Sequence, residues 1–200
     1  MPTCADMHGL LLAGSLLCGL PVANAAPVET PYSAVSLPFA LNKIPDAPVY
    51  YIEGLSGVPD SENEGHTSNA GFVVTSEGVV VFDALGTPAL GYRMLQRIRE
   101  VTDQPIKYVV VSHYHADHIY GLQAFKEHGG APVVLAQRGT LGYAGGTADS
   151  QGEDAARRLE QRREALFPWV DEKTFIVAPD EVFDQAMRFE LGGVEFEVRH

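Results

Sequence analysis

The sequence predicts a layered α/β fold, a sandwich of β-sheet with helices on the outside. Three observations carry that expectation. Gly71–Thr75 and Val79–Asp83 are nearly continuous apolar runs, the mark of strands buried on both faces, and Val109–Val111 is a further β-branched run that delivers the chain to a sheet edge. Thr87-Pro88 opens a stretch of helical periodicity between them. Met187–Leu191 and Val194–His200 alternate in polarity around Gly192-Gly193, as the arms of a hairpin do.

Residues 1–25 read as a secretory signal peptide. Leu10–Leu20 is its apolar core, and Ala23-Asn24-Ala25 supplies small residues where a signal peptidase needs them. Cleavage is expected before Ala26, with a periplasmic or secreted product. Met1–Gly9 departs from the pattern, because it lacks Lys and Arg and carries Asp6. The apolar run is shorter than the ~18–20 residues of a membrane span, so no stable membrane insertion is expected. Both cysteines, Cys4 and Cys18, fall in the leader, which leaves the mature chain without a disulfide or a thiol nucleophile.

Residues 26–48 contain Pro27, Pro31, Pro38, Pro45 and Pro48 and read as an extended arm; residues 49–200 read as one domain. Val49–Ile52 is its first strand. In the polar loop Gly54–Asn69, His66 reads as an exposed loop histidine. Ser76-Glu77-Gly78 joins the first hairpin, with Gly78 expected at positive φ. Asp83 ends the second strand as a turn residue would. In the helix after Thr87, Leu90, Met94, Leu95, Ile98 and Val101 form the apolar stripe, and Asp103-Gln104-Pro105 ends it.

The strand Ile106–Ser112 runs into the motif described below. Ile119–His128 is then expected as one short helix closed by Gly129-Gly130, with His128 structural in its last turn. Ala131–Ala136 is a strand. Gly139–Gly152 reads as a mobile loop in which Tyr143, like Tyr114 earlier, is a candidate to line a pocket. Glu153–Leu166 reads as an exposed helix. Its Arg157-Arg158 and Arg162-Arg163 pairs interleave with Glu160 and Glu164 and need no anionic partner.

The chemistry concentrates in His113-Tyr114-His115-Ala116-Asp117-His118, four potential ligands in six residues at a strand end. Imidazole with carboxylate suits zinc. Their spacing pairs His113 with His115 on one metal, and Asp117 with His118 on a second. Two ions about 3.5–4 Å apart share and activate one water. The net charge of −12 argues against a nucleic-acid surface and leaves a small molecule as the expected partner; oligomeric state is open.

His113–His118 resembles the HxHxDH signature of the metallo-β-lactamase superfamily, and Asn69–Asp83 is similar to that family's opening hairpin. The resemblance implies the family's αβ/βα sandwich, here its N-terminal half plus the start of the second. It implies an exported dinuclear zinc hydrolase in which a metal-bound hydroxide, oriented by Asp117, attacks an ester, thioester, lactone or β-lactam. Asp83 would orient the metal-binding loop. An iron-dependent, sulfur dioxygenase-like oxidoreductase and a non-catalytic metal-binding fragment are the alternatives. The family completes its two sites with later histidines and an aspartate. No Gly-Asp pair follows the motif and His200 ends a strand, so the chain is expected to be incomplete at its C-terminus.

Overall fold

The computed structural model describes residues 30–144 and 151–200. The signal peptide, both cysteines, the first four residues of the arm and residues 145–150 lie outside the described residues. Seven strands form one sheet in chain order: β1 (Asn42–Lys43), β2 (Val49–Ile52), β3 (Ala70–Val74), β4 (Val79–Phe82), β5 (Ile106–Val111), β6 (Val133–Gln137) and β7 (Glu181–Phe183). β1 to β4 pair antiparallel, and β4 to β7 pair parallel. β8 (Ala186–Leu191) and β9 (Val194–Arg199) make a separate hairpin.

The apolar runs sort onto two faces with period two. Val79, Val81, Val109 and Val111 point into a core shared with Leu90, Met94 and Ile98 of α1 (Pro88–Val101) and Phe125 of α3 (Leu122–His128). Val80, Val110 and Leu135 point the other way, against Leu191 and Phe196 of the hairpin. The expected layering is therefore present, with helices covering one face and β8–β9 the other.

Thr87 caps α1 by accepting from Leu90 N at 3.1 Å, with Pro88 at the first turn. Val101 is only half-buried, and α1 closes at Thr102. Gly192 and Gly193 both have positive φ, as a two-residue hairpin turn requires.

Four expectations need correction. Gly78 does not take positive φ; a Cβ there would meet Lys107 Cγ at 2.6 Å and the Pro105 carbonyl at 2.9 Å, so crowding, not turn geometry, calls for glycine. The helix after the motif is broken into α2 (Ala116–Ile119) and α3 at Gly121, whose backbone lies against Ala84 and Gly91. The expected loop from Gly139 instead continues the helix α4 (Arg138–Tyr143), capped by the Gln137 side chain. Finally α5 (Gln151–Leu166) is not a wholly exposed helix, because Ala155, Leu159 and Leu166 are buried.

The described part of the arm lies on the domain. Trp169 Nε1 donates to the Ala34 carbonyl at 2.8 Å, Arg97 Nε to that of Phe39 at 3.1 Å, and the Phe39 ring is buried. His128 packs edge-on against Tyr32 and Tyr92, the structural role expected of it. No helix among the described residues is long and apolar enough to cross a membrane.

Candidate metal centre

The motif sits where parallel strands β4 and β5 deliver their C-terminal ends side by side. Asp83 N donates to the Val110 carbonyl at 2.9 Å, continuing the ladder one residue past β4. Just beyond, Asp83 and Leu85 adopt positive φ of 59° and 71°, rarely populated by residues with a Cβ. That kink turns the Asp83 carboxylate toward the β5 end. Ala84 N then donates to the His118 carbonyl at 2.9 Å and Gly121 N to that of Leu85 at 3.0 Å, so this strained turn clamps the helix carrying the motif. Ser68 Oγ donates to the Asp117 carbonyl from the opposite side.

Asp83 is 8% exposed and accepts three hydrogen bonds. Ser112 N donates to Oδ1 at 2.7 Å, and Ser112 Oγ to Oδ2 at 2.8 Å. A carboxylate only accepts, so His118 Nδ1, 2.8 Å from Oδ2, carries a proton. The Ser112 hydroxyl has spent its single proton on Asp83. His113 Nδ1, 2.9 Å from that oxygen, is then the donor of its pair. One buried carboxylate thus holds two imidazoles by their Nδ1 side, His118 directly and His113 through Ser112. Burial alone would lower the pKa of His118, but the hydrogen bond and charge of Asp83, with Asp117, outweigh it and raise it. Burial and then the neighbouring imidazoles His118 and His115 lower that of His113.

The motif side chains approach one another in pairs. The His113 ring centroid lies 4.5 Å from that of His115 and 4.1 Å from that of His118. His118 Nε2 lies 3.6 Å from Asp117 Oδ2, which places an imidazole nitrogen and a carboxylate oxygen side by side. This donor set fits zinc in kind: imidazoles with the second nitrogen already bonded to an oxygen, beside a carboxylate. Among the described residues, no three His, Cys, Asp or Glu side chains are gathered around one point. The motif holds four donors in all, fewer than the three protein ligands per ion that two catalytic zinc ions would take.

A cleft of about 500 Å³ opens over the motif, lined in part by Tyr114, His115, Asp117, Tyr143, Arg158 and Arg162, within the range of small-molecule sites. Tyr114 and Tyr143 stack face to face, with centroids 3.7 Å apart and planes at 9°. Both were candidates from the sequence; the two arginines and Ser112 were not.

His66 is not the exposed residue its loop suggested. It is 2% exposed, its ring 5.1 Å from that of Phe39, with neither nitrogen hydrogen-bonded among the described residues. Burial lowers its pKa, against the opposing charge of Glu64. The loop is drawn inward because Leu55 N bonds the His66 carbonyl, Gly54 N bonds the Asn69 side chain, and Ser36 N bonds Glu64.

The family model described as the metallo-beta-lactamase superfamily matches residues 63–200. The chain belongs to that superfamily. It is similar to a metallo-beta-lactamase from Pontibacter korlensis, with a TM-score of 0.51, 20% identity, and 80% of this chain matched to 59% of that one. It is also similar to a stereoselective inverting sec-alkylsulfatase from a Pseudomonas species, with a TM-score of 0.52, 23% identity, and coverage of 80% and 27%. At such identities the likeness concerns the metallo-beta-lactamase fold. In sequence, 49 residues are 37% identical to a linear primary-alkylsulfatase from a Pseudomonas strain, 24% of this chain and 9% of that protein. The chain thus spans less than two thirds of each of these relatives, from 59% down to 9%.

Proposed function

We propose that this metallo-beta-lactamase superfamily chain belongs to an exported zinc-dependent hydrolase of small molecules, acting on an ester, thioester, lactone, β-lactam or sulfate ester. The supporting observation is the Asp83–Ser112 network, which holds the His113 and His118 imidazoles by Nδ1 in a motif whose His115 and Asp117 line a substrate-sized cleft. The sulfate ester joins the list through the likeness to two alkylsulfatases.

In this reading His113 and His115 hold one zinc, and Asp117 and His118 the other. Zinc bound there supplies an activated water near neutral pH and polarises the scissile bond. The protein's own groups do the rest. Asp83 fixes the two imidazoles through Ser112 and directly, Asp117 orients the attacking water, and the Tyr114–Tyr143 stack walls the cleft. Export rests on residues 1–25, and a periplasmic or secreted chain beginning at Ala26 by N-terminal sequencing would bear it out.

Elemental analysis of the purified protein tests the reading. We expect about two zinc per complete domain in the longer natural protein, lost in His115→Ala together with hydrolysis across a panel of esters, thioesters, lactones, β-lactams and alkyl sulfates. Iron in place of zinc would favour the sulfur dioxygenase-like oxidoreductase, and no tightly held metal would remove the site.

A further inference from the structure

The α5 helix carries four arginines, and the structure divides them. Arg157 pairs with Asp154 at 2.8 Å and Arg163 with Glu160 at 2.9 Å, the surface pairs expected of a solvated face. Arg158 and Arg162 are different. Residues 155, 159, 162 and 166 lie on one helical stripe, and Ala155, Leu159 and Leu166 on it are buried. Arg162 thus occupies an inward-facing place. It is half-buried and has no hydrogen-bond or ion-pair partner among the described residues. Arg158, one turn back on the same side, donates to the Tyr143 carbonyl at 2.8 Å and lies 5.3 Å over the Tyr143 ring. It also has no carboxylate partner among the described residues.

Both guanidinium groups line the cleft over the motif, on a chain whose net charge is −12. Withdrawing cations from water without a counter-charge is costly, and twenty-six acidic residues were available to pair them. Asp117 also lines the cleft, but among the described residues no carboxylate comes within ion-pair distance of either arginine, so both stay available to a ligand there. A guanidinium presents parallel N–H donors that match the oxygens of a carboxylate, sulfate or phosphate. Beside it, Tyr114 and Tyr143 present a stacked apolar wall, continued by Ile119 and Ile176.

We propose that Arg158 and Arg162 form an anion subsite in this cleft, and that the ligand is a small amphiphilic oxoanion. Its charged group pairs with the two arginines, and its alkyl or aryl part lies along Tyr114 and Tyr143. Turnover of such a ligand requires the hydrolase reading above; binding of the anion does not.

The test is calorimetric titration of the full chain, as purified and after zinc addition, with 1-octanesulfonate and with uncharged octyl glucoside. Arg158→Gln and Arg162→Gln should each weaken octanesulfonate binding about tenfold, the loss of one charge-assisted hydrogen bond. Arg157→Gln removes the same charge from the solvent side of the helix and should leave binding within about twofold. Arg162→Lys, which keeps the charge and loses the fork, should fall between. Glutamine matches arginine in helix propensity, so α5 should survive, and urea unfolding of each variant verifies it. Where the protein turns over esters, KM for an anionic ester should rise in both variants, and in Arg162→Gln, which leaves the Arg158–Tyr143 contact intact, KM should rise more for the anionic than for the neutral ester.

Equal octanesulfonate binding by wild type and both cleft variants would overturn the subsite. So would an equal loss in Arg157→Gln, or glucoside binding as tight as sulfonate. Arginine-dependent anion binding without hydrolysis would keep the subsite and remove the hydrolase. Hydrolysis of neutral and anionic esters alike, indifferent to both arginines, would do the reverse.

Discussion

At the scale of single residues, Asp83 sits at the centre of the site although it touches none of the cleft. Its two oxygens accept from Ser112 N, Ser112 Oγ and His118 Nδ1. In Asp83→Asn one oxygen becomes an NH₂ donor, which can serve at most part of that set. The fold should persist because shape and volume are kept. Zinc affinity, measured by competition with a chromophoric chelator, should fall about 10–100-fold, the usual cost of losing a carboxylate behind a ligand histidine. Unchanged affinity would mean that Asp83 serves only the backbone turn. The four motif residues were legible from the sequence because they are contiguous, and contiguity survives any fold. Ser112 was not, since its hydroxyl matters only once the parallel β4–β5 pairing sets it beside Asp83. His66 was misread for the converse reason: a polar loop looks exposed until its own backbone bonds turn it inward.

At the scale of elements, the α1 helix meets the α2–α3 turn backbone to backbone. A Cβ on Gly91 would fall on the backbone of Gly121, and a Cβ on Gly121 on the Ala84 carbonyl. Gly91→Ala therefore sets two effects against each other. Alanine favours a helix interior by about 1 kcal/mol, whereas forcing extra volume into a closed contact costs about 1–3 kcal/mol, and here the obstacle is rigid main chain. The clash should win. We expect a net loss of about 1–2 kcal/mol and a melting temperature lower by roughly 2–8 °C, read by thermal unfolding. A rise would mean that the two elements do not touch. α1 was readable because Thr87, Pro88 and the leucine stripe are local signals. Its glycine contact, the break at Gly121 and the helix from Arg138 depend on partners remote in sequence, and no local pattern announces them.

At the scale of the whole molecule, the central sheet separates two cores. The alternation of Val79 and Val81 against Val80, and of Val109 and Val111 against Val110, was visible as unbroken apolar runs, which is why the layered architecture could be read in advance. What covered the second face could not, because β8 and β9 alternate like any half-exposed hairpin and their docking on Val80, Val110 and Leu135 is a long-range choice. The separation has a measurable consequence. Phe196 is 7% exposed, stacks on Phe189 with centroids 5.0 Å apart, and packs in the hairpin core. Phe196→Ala should cost about 3 kcal/mol in urea unfolding, at the lower end for a buried phenylalanine because the site lies near the molecular edge. Gly91→Ala acts in the helical core across a sheet whose layers pack about 10 Å apart, with no shared side-chain partner. In a double-mutant cycle the two losses should therefore add within about 0.5 kcal/mol. A coupling above about 1 kcal/mol would show that the sheet transmits strain between its faces, and that the two cores behave as one.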